Sequence, residues 1–292
     1  RVMQSERDEE RLASLAVVLP LALTGLLARE ITVGKNWRNL IVLAMLTVFT
    51  VANAVFHWEA AQGHYAAQGY GLRTGLGAAI MLIAVIGGRI VPSFTRNWLV
   101  RKGPGRLPVP PMQLFDKIAL LTLFAALLAW IAAPEAQPAV WLLLTAGLLH
   151  LARLVRWAGD RTLAEPLLWI LHLGYFFLPL GAIVLAAGVL SPGLVSQALA
   201  QHLWMAGAVG LMTMAVMTRA TLGHTGQVLH AGPGTTAIYV ALIGAVATRF
   251  IAGTWPDQAS VLYGLSGLFW TLAFGGFALI YGPALLRPRF RN

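Results

Sequence analysis

Cysteine is absent from this chain of 292 residues. That excludes disulfides, thiolate zinc sites, iron–sulfur clusters and covalently attached c-type haem. Any metal must be held by histidine, methionine, carboxylate or backbone oxygen. Charge is scarce as well: 11% of the residues are Asp, Glu, Lys or Arg, where a soluble domain carries about 25%. So few charged side chains cannot cover a water-facing surface. Period-two alternation is missing, which argues against a β-barrel. A signal-peptide pattern, a P-loop and a serine-hydrolase motif are missing too. What is present is apolar: 58% of residues are hydrophobic and the mean hydropathy is +0.72, which defines an integral membrane protein. The formal net charge of +10 would suggest nucleic acid in a soluble protein. Here no soluble domain carries a basic stripe, so nucleic-acid binding is excluded.

A helix needs about 20 apolar residues to cross the hydrocarbon core. Nine runs qualify, approximately 12–28, 37–57, 72–92, 116–133, 138–158, 166–188, 198–219, 234–252 and 258–284. Backbone polar groups in lipid must be satisfied internally, so these runs are helices. The expected fold class is an all-α polytopic transmembrane bundle, and residues 1–292 form a single transmembrane domain. Basic residues alternate along it. Arg29, Lys35 and Arg38 follow the first span; Arg96, Arg101, Lys102, Arg106 and Lys117 follow the third. Arg153, Arg156 and Arg161 surround the end of the fifth, Arg219 follows the seventh, and Arg287, Arg289 and Arg291 follow the ninth. The positive-inside rule then places the C-terminus in the cytoplasm and residue 1 outside. A start at Arg1 rather than Met agrees with a fragment whose upstream helices are missing. The Pro/Gly-rich stretch 93–115 is expected to be an irregular cytoplasmic loop.

Imidazole is the commonest ligand for transition metals and haem iron, so the depth of each histidine matters. His57 closes the second span and His202 opens the seventh, both at the outer end, with His64 in the connection between spans two and three. His172 lies inside span six and His150 inside span five, each toward the inner end. His224 and His230 follow span seven. His202 and His224 bracket one span of about 30 Å, so they belong to two sites. A histidine at a span end is ordinarily an interfacial polar group, and one inside a span ordinarily either serves a site or hydrogen-bonds a neighbouring helix.

Other signals are weaker. Arg89 sits at the end of span three, where it either snorkels to the headgroups or pairs with a carboxylate-bearing ligand. Tyr175 and Pro179 share a helix face with His172; Tyr175 is placed to orient a partner of that imidazole. Met205, Met212, Met214 and Met217 line span seven, as soft ligands or as packing. Gly71, Gly75 and Gly77 make a small-residue packing face. The carboxylates Glu59, Glu135 and Asp257 fall in outer connections. No span carries two histidines about 13–14 residues apart, as two-haem cytochrome b bundles do. No adjacent His-His pair of the haem–copper oxidase kind occurs.

Four stretches carry a family resemblance that covers essentially the whole chain. They are Arg38-Asn39-Leu40 with Ala52-Asn53 and Phe56-His57; Gly87 to Asn97; Glu165 to Tyr175; and Met217 to Gly226 with its Leu-Gly-His-Thr-Gly core. In this order they resemble the NnrS family of polytopic bacterial membrane proteins. The resemblance implies about twelve spans, so roughly three upstream helices are expected. It also implies haem, expected as haem b, and copper, and a role in tolerance of nitric oxide and nitrosative stress near denitrification, without supplying a settled reaction. From their matched depth together with these motifs, His57 and His202 are the expected outer haem ligands. His172, with either His224 or His150, is the expected inner metal site, and Arg89 and Arg219 hold propionates or orient the site. The expected partners are nitric oxide or an iron–nitrosyl species, the lipid bilayer, and denitrification or respiratory enzymes, in a bacterial inner membrane. The alternative is a transporter or handling protein for haem, copper or iron–nitrosyl species.

Overall fold

The computed structural model describes residues 2–193 and 195–286. The basic residues Arg287, Arg289 and Arg291 lie outside the described residues. Among the described residues there are no strands, and nine helices are long and apolar enough to cross a membrane. We label them α1 (Val2–Val33), α2 (Leu40–Ala61), α3 (Tyr70–Lys102), α4 (Leu114–Ala132), α5 (Gln137–Val155), α6 (Pro166–Leu190), α7 (Gln197–His224), α8 (Pro233–Thr254) and α9 (Ala259–Leu286). The chain is therefore an all-α polytopic membrane protein. Its two ends are unlike. The end formed by the last turn of α3, the connection after it and the first turn of α4, with Arg101, Lys102, Arg106 and Lys117, is the basic end.

Local chemistry sets the boundaries. Glu165 caps α6 by accepting from Leu167 N, and Ser196 caps α7 by accepting from Leu199 N. Gln113 and Asp116 form a reciprocal capping box at the start of α4. Pro166 and Pro233 occupy first turns, where no amide donor is needed. The third helix is longer than its apolar run: α3 continues to Lys102 and ends at Gly103, whose φ of +112° breaks the helix. Hydropathy marks the hydrocarbon boundary, but the helix runs on through its polar turns. The expected loop 93–115 shrinks accordingly to 103–113, and Arg89, Pro92 and the whole of Gly87 to Asn97 are helical.

Burial sorts the helices. In its most apolar stretch α7 is 67% buried, against 6% for α1 and 17% for the segment containing α9. So α7 is central, while α1 and α9 present leucines and valines to lipid, where they are solvated rather than stranded. α6 lies beside α7. The indole of Trp204 on α7 fits across Gly181 of α6, where a Cβ would come within 2.3 Å of the ring, and its Nε1 donates to the Leu178 carbonyl at 2.8 Å. Two helices depart from α geometry, with π turns at Ile83–Gly87 in α3 and Leu203–Gly210 in α7. π turns recur at functional positions.

The small-residue face resolves into two contacts. Gly71 lies against the backbone of α2, where a Cβ would sit 2.3 Å from Phe56 N. Gly75 has room, with Ala52 Cβ 3.5 Å from the same position, and Gly77 faces Leu127 and Ile131 of α4 instead. Glu59 is not in a connection but buried in the last turn of α2. It accepts from Tyr70 N at 2.8 Å and Gly71 N at 3.1 Å, so it caps α3. A Gly71→Val substitution meets backbone that cannot rotate away, and is expected to cost about 1–3 kcal/mol. Gly75→Ala is expected to be near neutral. Thermal unfolding of the two variants in detergent checks this; equal melting temperatures would contradict the packing.

Candidate functional site

A polar centre lies between α3, α4, α5 and α6 toward the basic end. Charge inside a bundle is costly unless paired, and here Arg153 of α5 and Asp116 of α4 pair at 2.7 Å with side chains 0% and 3% exposed. Asp116 is oriented by the capping box, its second oxygen accepting from Gln113 N. The guanidinium Nη1 donates to the Tyr175 hydroxyl at 2.8 Å and to the Ala84 carbonyl at 2.9 Å. That carbonyl belongs to the π turn of α3, which departs from the regular ladder. The guanidinium also faces Trp157 at 5.4 Å, and Trp157 packs edge-on to Tyr175 at 4.5 Å. Among the described residues Nη2 has no hydrogen-bond partner, and it points at Gly88, where a Cβ would lie 2.2 Å from it. Gly88 is what lets the charge approach α3.

The hydrogen bonds have one direction. Tyr175 oxygen accepts from Arg153, so its proton is free to go to His150 Nδ1 at 2.8 Å. His150 Nε2 faces the Ala119 carbonyl at 3.2 Å, which only accepts. His150 is therefore the neutral Nε2–H tautomer with both nitrogens committed. The residue is fully buried.

Three of the stretches singled out from the sequence meet at this end. Gly87 lies against Tyr175 and Met212, with a Cβ 3.3 and 3.1 Å from their side chains. Thr95 Oγ1 is hydrogen-bonded to His172 Nε2 at 2.9 Å, and Gly159 lies over the Nδ1 side of that ring. The ring of Phe94 carries the Arg219 guanidinium at 4.1 Å. Glu165 reaches past its own helix to accept from His230 Nδ1 at 2.8 Å and Ala231 N at 3.1 Å, tying the connection after α7 to α6. His224 is exposed at the end of α7. Arg89 turns elsewhere and borders an apolar groove with Lys117.

At the opposite end His202 is half-buried. Its Nδ1–H donates to the Ala198 carbonyl at 2.6 Å, and its Nε2 accepts from Arg249 Nη2 at 2.8 Å. Arg249 also lies over the Tyr263 ring at 4.4 Å. His57 is half-buried on α2, edge-on to Phe56, and His64 is exposed. His57 and His202 have different neighbours, and no hydrogen bond joins them. Among the described residues no group of three or more His, Asp or Glu converges.

Sequence reasoning missed Asp116, Arg153 and Arg249. Arg153 was counted with the basic flank of span five, although it follows His150 by three residues and so shares its face. Asp116 and Arg249 are charges within apolar runs. Such charges need a partner in lipid, and that was the available signal.

Among the described residues, nine helices long and apolar enough to cross a membrane, with an ion pair buried between α3, α4, α5 and α6, define a polytopic membrane protein with a polar centre. The family model described as NnrS protein matches residues 3–289, so the chain belongs to the NnrS family, and with it to membrane proteins associated with the nitric oxide response. No curated protein and no solved structure matches the chain.

Breaking the buried pair from one side should cost more than removing both charges. Asp116→Asn is expected to destabilise by about 3–5 kcal/mol, and Tyr175→Phe, which removes the bridge between Arg153 and His150, by about 1–3 kcal/mol. Adding Arg153→Met to Asp116→Asn should recover part of the loss. Thermal unfolding of the set checks this, and additive losses would argue against the pairing.

Proposed function

We propose that this chain is a haem- and copper-binding protein of a bacterial inner membrane that binds nitric oxide or removes its metal adducts. Family membership carries the reading. Nitric oxide is an apolar gas that dissolves in lipid, and a membrane-embedded site has it at hand.

The residues fit haem better than copper. Haem needs one or two axial donors and cations for its propionates. His202 would hold the iron: an Nδ1–H fixed on a backbone carbonyl leaves the Nε2 lone pair to ligate. Arg249, which donates to that nitrogen, would be the cation for a propionate. His57, on a span that ends on the same side, is the proposed second donor. At the basic end His172, with His224, is the proposed metal position, and Arg219 supplies the cation. His150 has both nitrogens engaged and fits a role in holding Tyr175 and Arg153 rather than a ligand role. When bound, haem supplies an iron that takes nitric oxide. The chain's own part is to hold the imidazole tautomer, neutralise the propionates and keep water from the apolar core. Copper rests on the family alone. His172 with His224 is its proposed position, and among the described residues no group of three or more donors converges.

Transport of haem, copper or iron–nitrosyl species gains less support. Met205 borders a groove with Asn53, Met212 packs against Gly174, and Met214 is fully buried, so these thioethers do not line one path. Denitrification or respiratory enzymes remain the proposed partners, and the basic end is proposed to face the cytoplasm.

Purified wild-type protein is expected to carry haem whose reduced spectrum shifts with nitric oxide. His202→Ala should lose most of that haem while keeping its melting profile. A spectrum indifferent to nitric oxide would sink the reading, and full haem in His202→Ala would sink the ligand. Orientation has a separate check, because the native chain has no cysteine to interfere. A single cysteine replacing Gln62 should react with an impermeant maleimide in intact cells, and one replacing Lys102 only after permeabilisation. The reverse pattern would invert the bundle.

A further inference from the structure

Arg89 of α3 and Lys117 of α4 are both exposed, and among the described residues neither enters an ion pair. They stand together on one groove of about 410 Å³ between α2, α3 and α4. Apart from these two cations its lining is apolar, including Met45, Met81, Leu121 and Phe124, and no histidine borders it. Met81 precedes Arg89 by eight residues and Phe124 follows Lys117 by seven. At 1.5 Å per residue the apolar trough therefore runs about 10–12 Å into the bilayer from the cations. A paired positive mouth at the polar boundary over an oily trough is complementary to one kind of molecule the bilayer always supplies.

We propose that this groove is a binding site for an anionic phospholipid. The phosphate lies between the Arg89 guanidinium and the Lys117 ammonium, and an acyl chain lies in the trough. The guanidinium fork suits two phosphate oxygens and the ammonium acts as a point charge. Basic pockets between transmembrane helices recognise acidic headgroups in this way. The groove wall is the π turn of α3, through Val85 and Ile86. The lipid is thereby seated against the segment whose Ala84 carbonyl receives Arg153, and is placed to brace the polar centre from outside.

The test is lipid retention by the purified full chain, read by native mass spectrometry after exchange into micelles of phosphatidylglycerol or of phosphatidylcholine with the same chains. Two cations predict about a thirtyfold preference for phosphatidylglycerol. The double variant Arg89→Gln/Lys117→Gln should lose the preference, and Leu121→Trp, at an exposed position, should fill the trough and reduce retention of both lipids. Equal retention of the two lipids by wild-type protein overturns the proposal, as does an undiminished preference in the double variant. Two further outcomes also overturn it. One is loss of haem from the double variant with lipid retention unchanged, which would make the groove a propionate site. The other is a change of oligomer size in Leu121→Trp with lipid retention unchanged, which would make it a contact between copies.

Discussion

A guanidinium with no exposure to its surroundings sits among membrane-spanning helices, and the arrangement of α3 to α6 follows from the need to satisfy it. Taking Arg153 and Asp116 out of water costs several kcal/mol per ion before any attraction is counted. The attraction offsets this only if the geometry is good and the remaining donors find acceptors. Each neighbouring helix therefore contributes something specific. α4 brings the carboxylate, held by its own capping box. α6 brings the Tyr175 oxygen, α3 brings the Ala84 carbonyl through a π turn, and Gly88 removes the Cβ that would block the approach. Among the described residues Nη2 has no hydrogen-bond partner and faces Gly88.

This changes what the family-identifying stretches mean physically. Gly87 and Gly88 are read against Tyr175 and Arg153, Phe94 against Arg219, Thr95 against His172, and Glu165 against the connection that follows α7. These are contacts of the stretches with one another and with α5. Much of the recognisable pattern describes how α3, α6 and α7 lock together at the basic end, and a residue can belong to it without touching any ligand.

The spans were legible because a hydrocarbon core selects for length and apolarity, and both are visible in composition. Helix ends were not, because α3 keeps its hydrogen-bond ladder for ten residues beyond the apolar run, from 93 to Lys102, where hydropathy no longer reports it. The depth of each histidine was legible from the rise per residue, but depth says nothing about rotation around the axis. His57 and His202 lie at one end yet have different neighbours, whereas His150 and Tyr175 meet because their faces do. Arg153 was hidden by a rule that treats every arginine near a span end as a flank. The π turns have no pattern in hydrophobicity at all. Gly87 and Gly207 mark places where helices come close, not the departure from α geometry.

The direction of the hydrogen bonds separates the two ends more sharply than the positions of the histidines do. In the centre between α3 and α6 the protons are already assigned: Arg153 donates to Tyr175, Tyr175 to His150, and His150 to the Ala119 carbonyl. A ligand there would have to break a cooperative chain in a low-dielectric setting, where each broken link leaves an unpaired polar atom. At the other end His202 is held through Nδ1 by its own helix, independently of what meets Nε2. The occupant of Nε2 is the half-buried Arg249, which also lies over the Tyr263 ring. A ligand at His202 would displace a single hydrogen bond, whereas one in the centre between α3 and α6, at the opposite end of the bundle, would break a connected set.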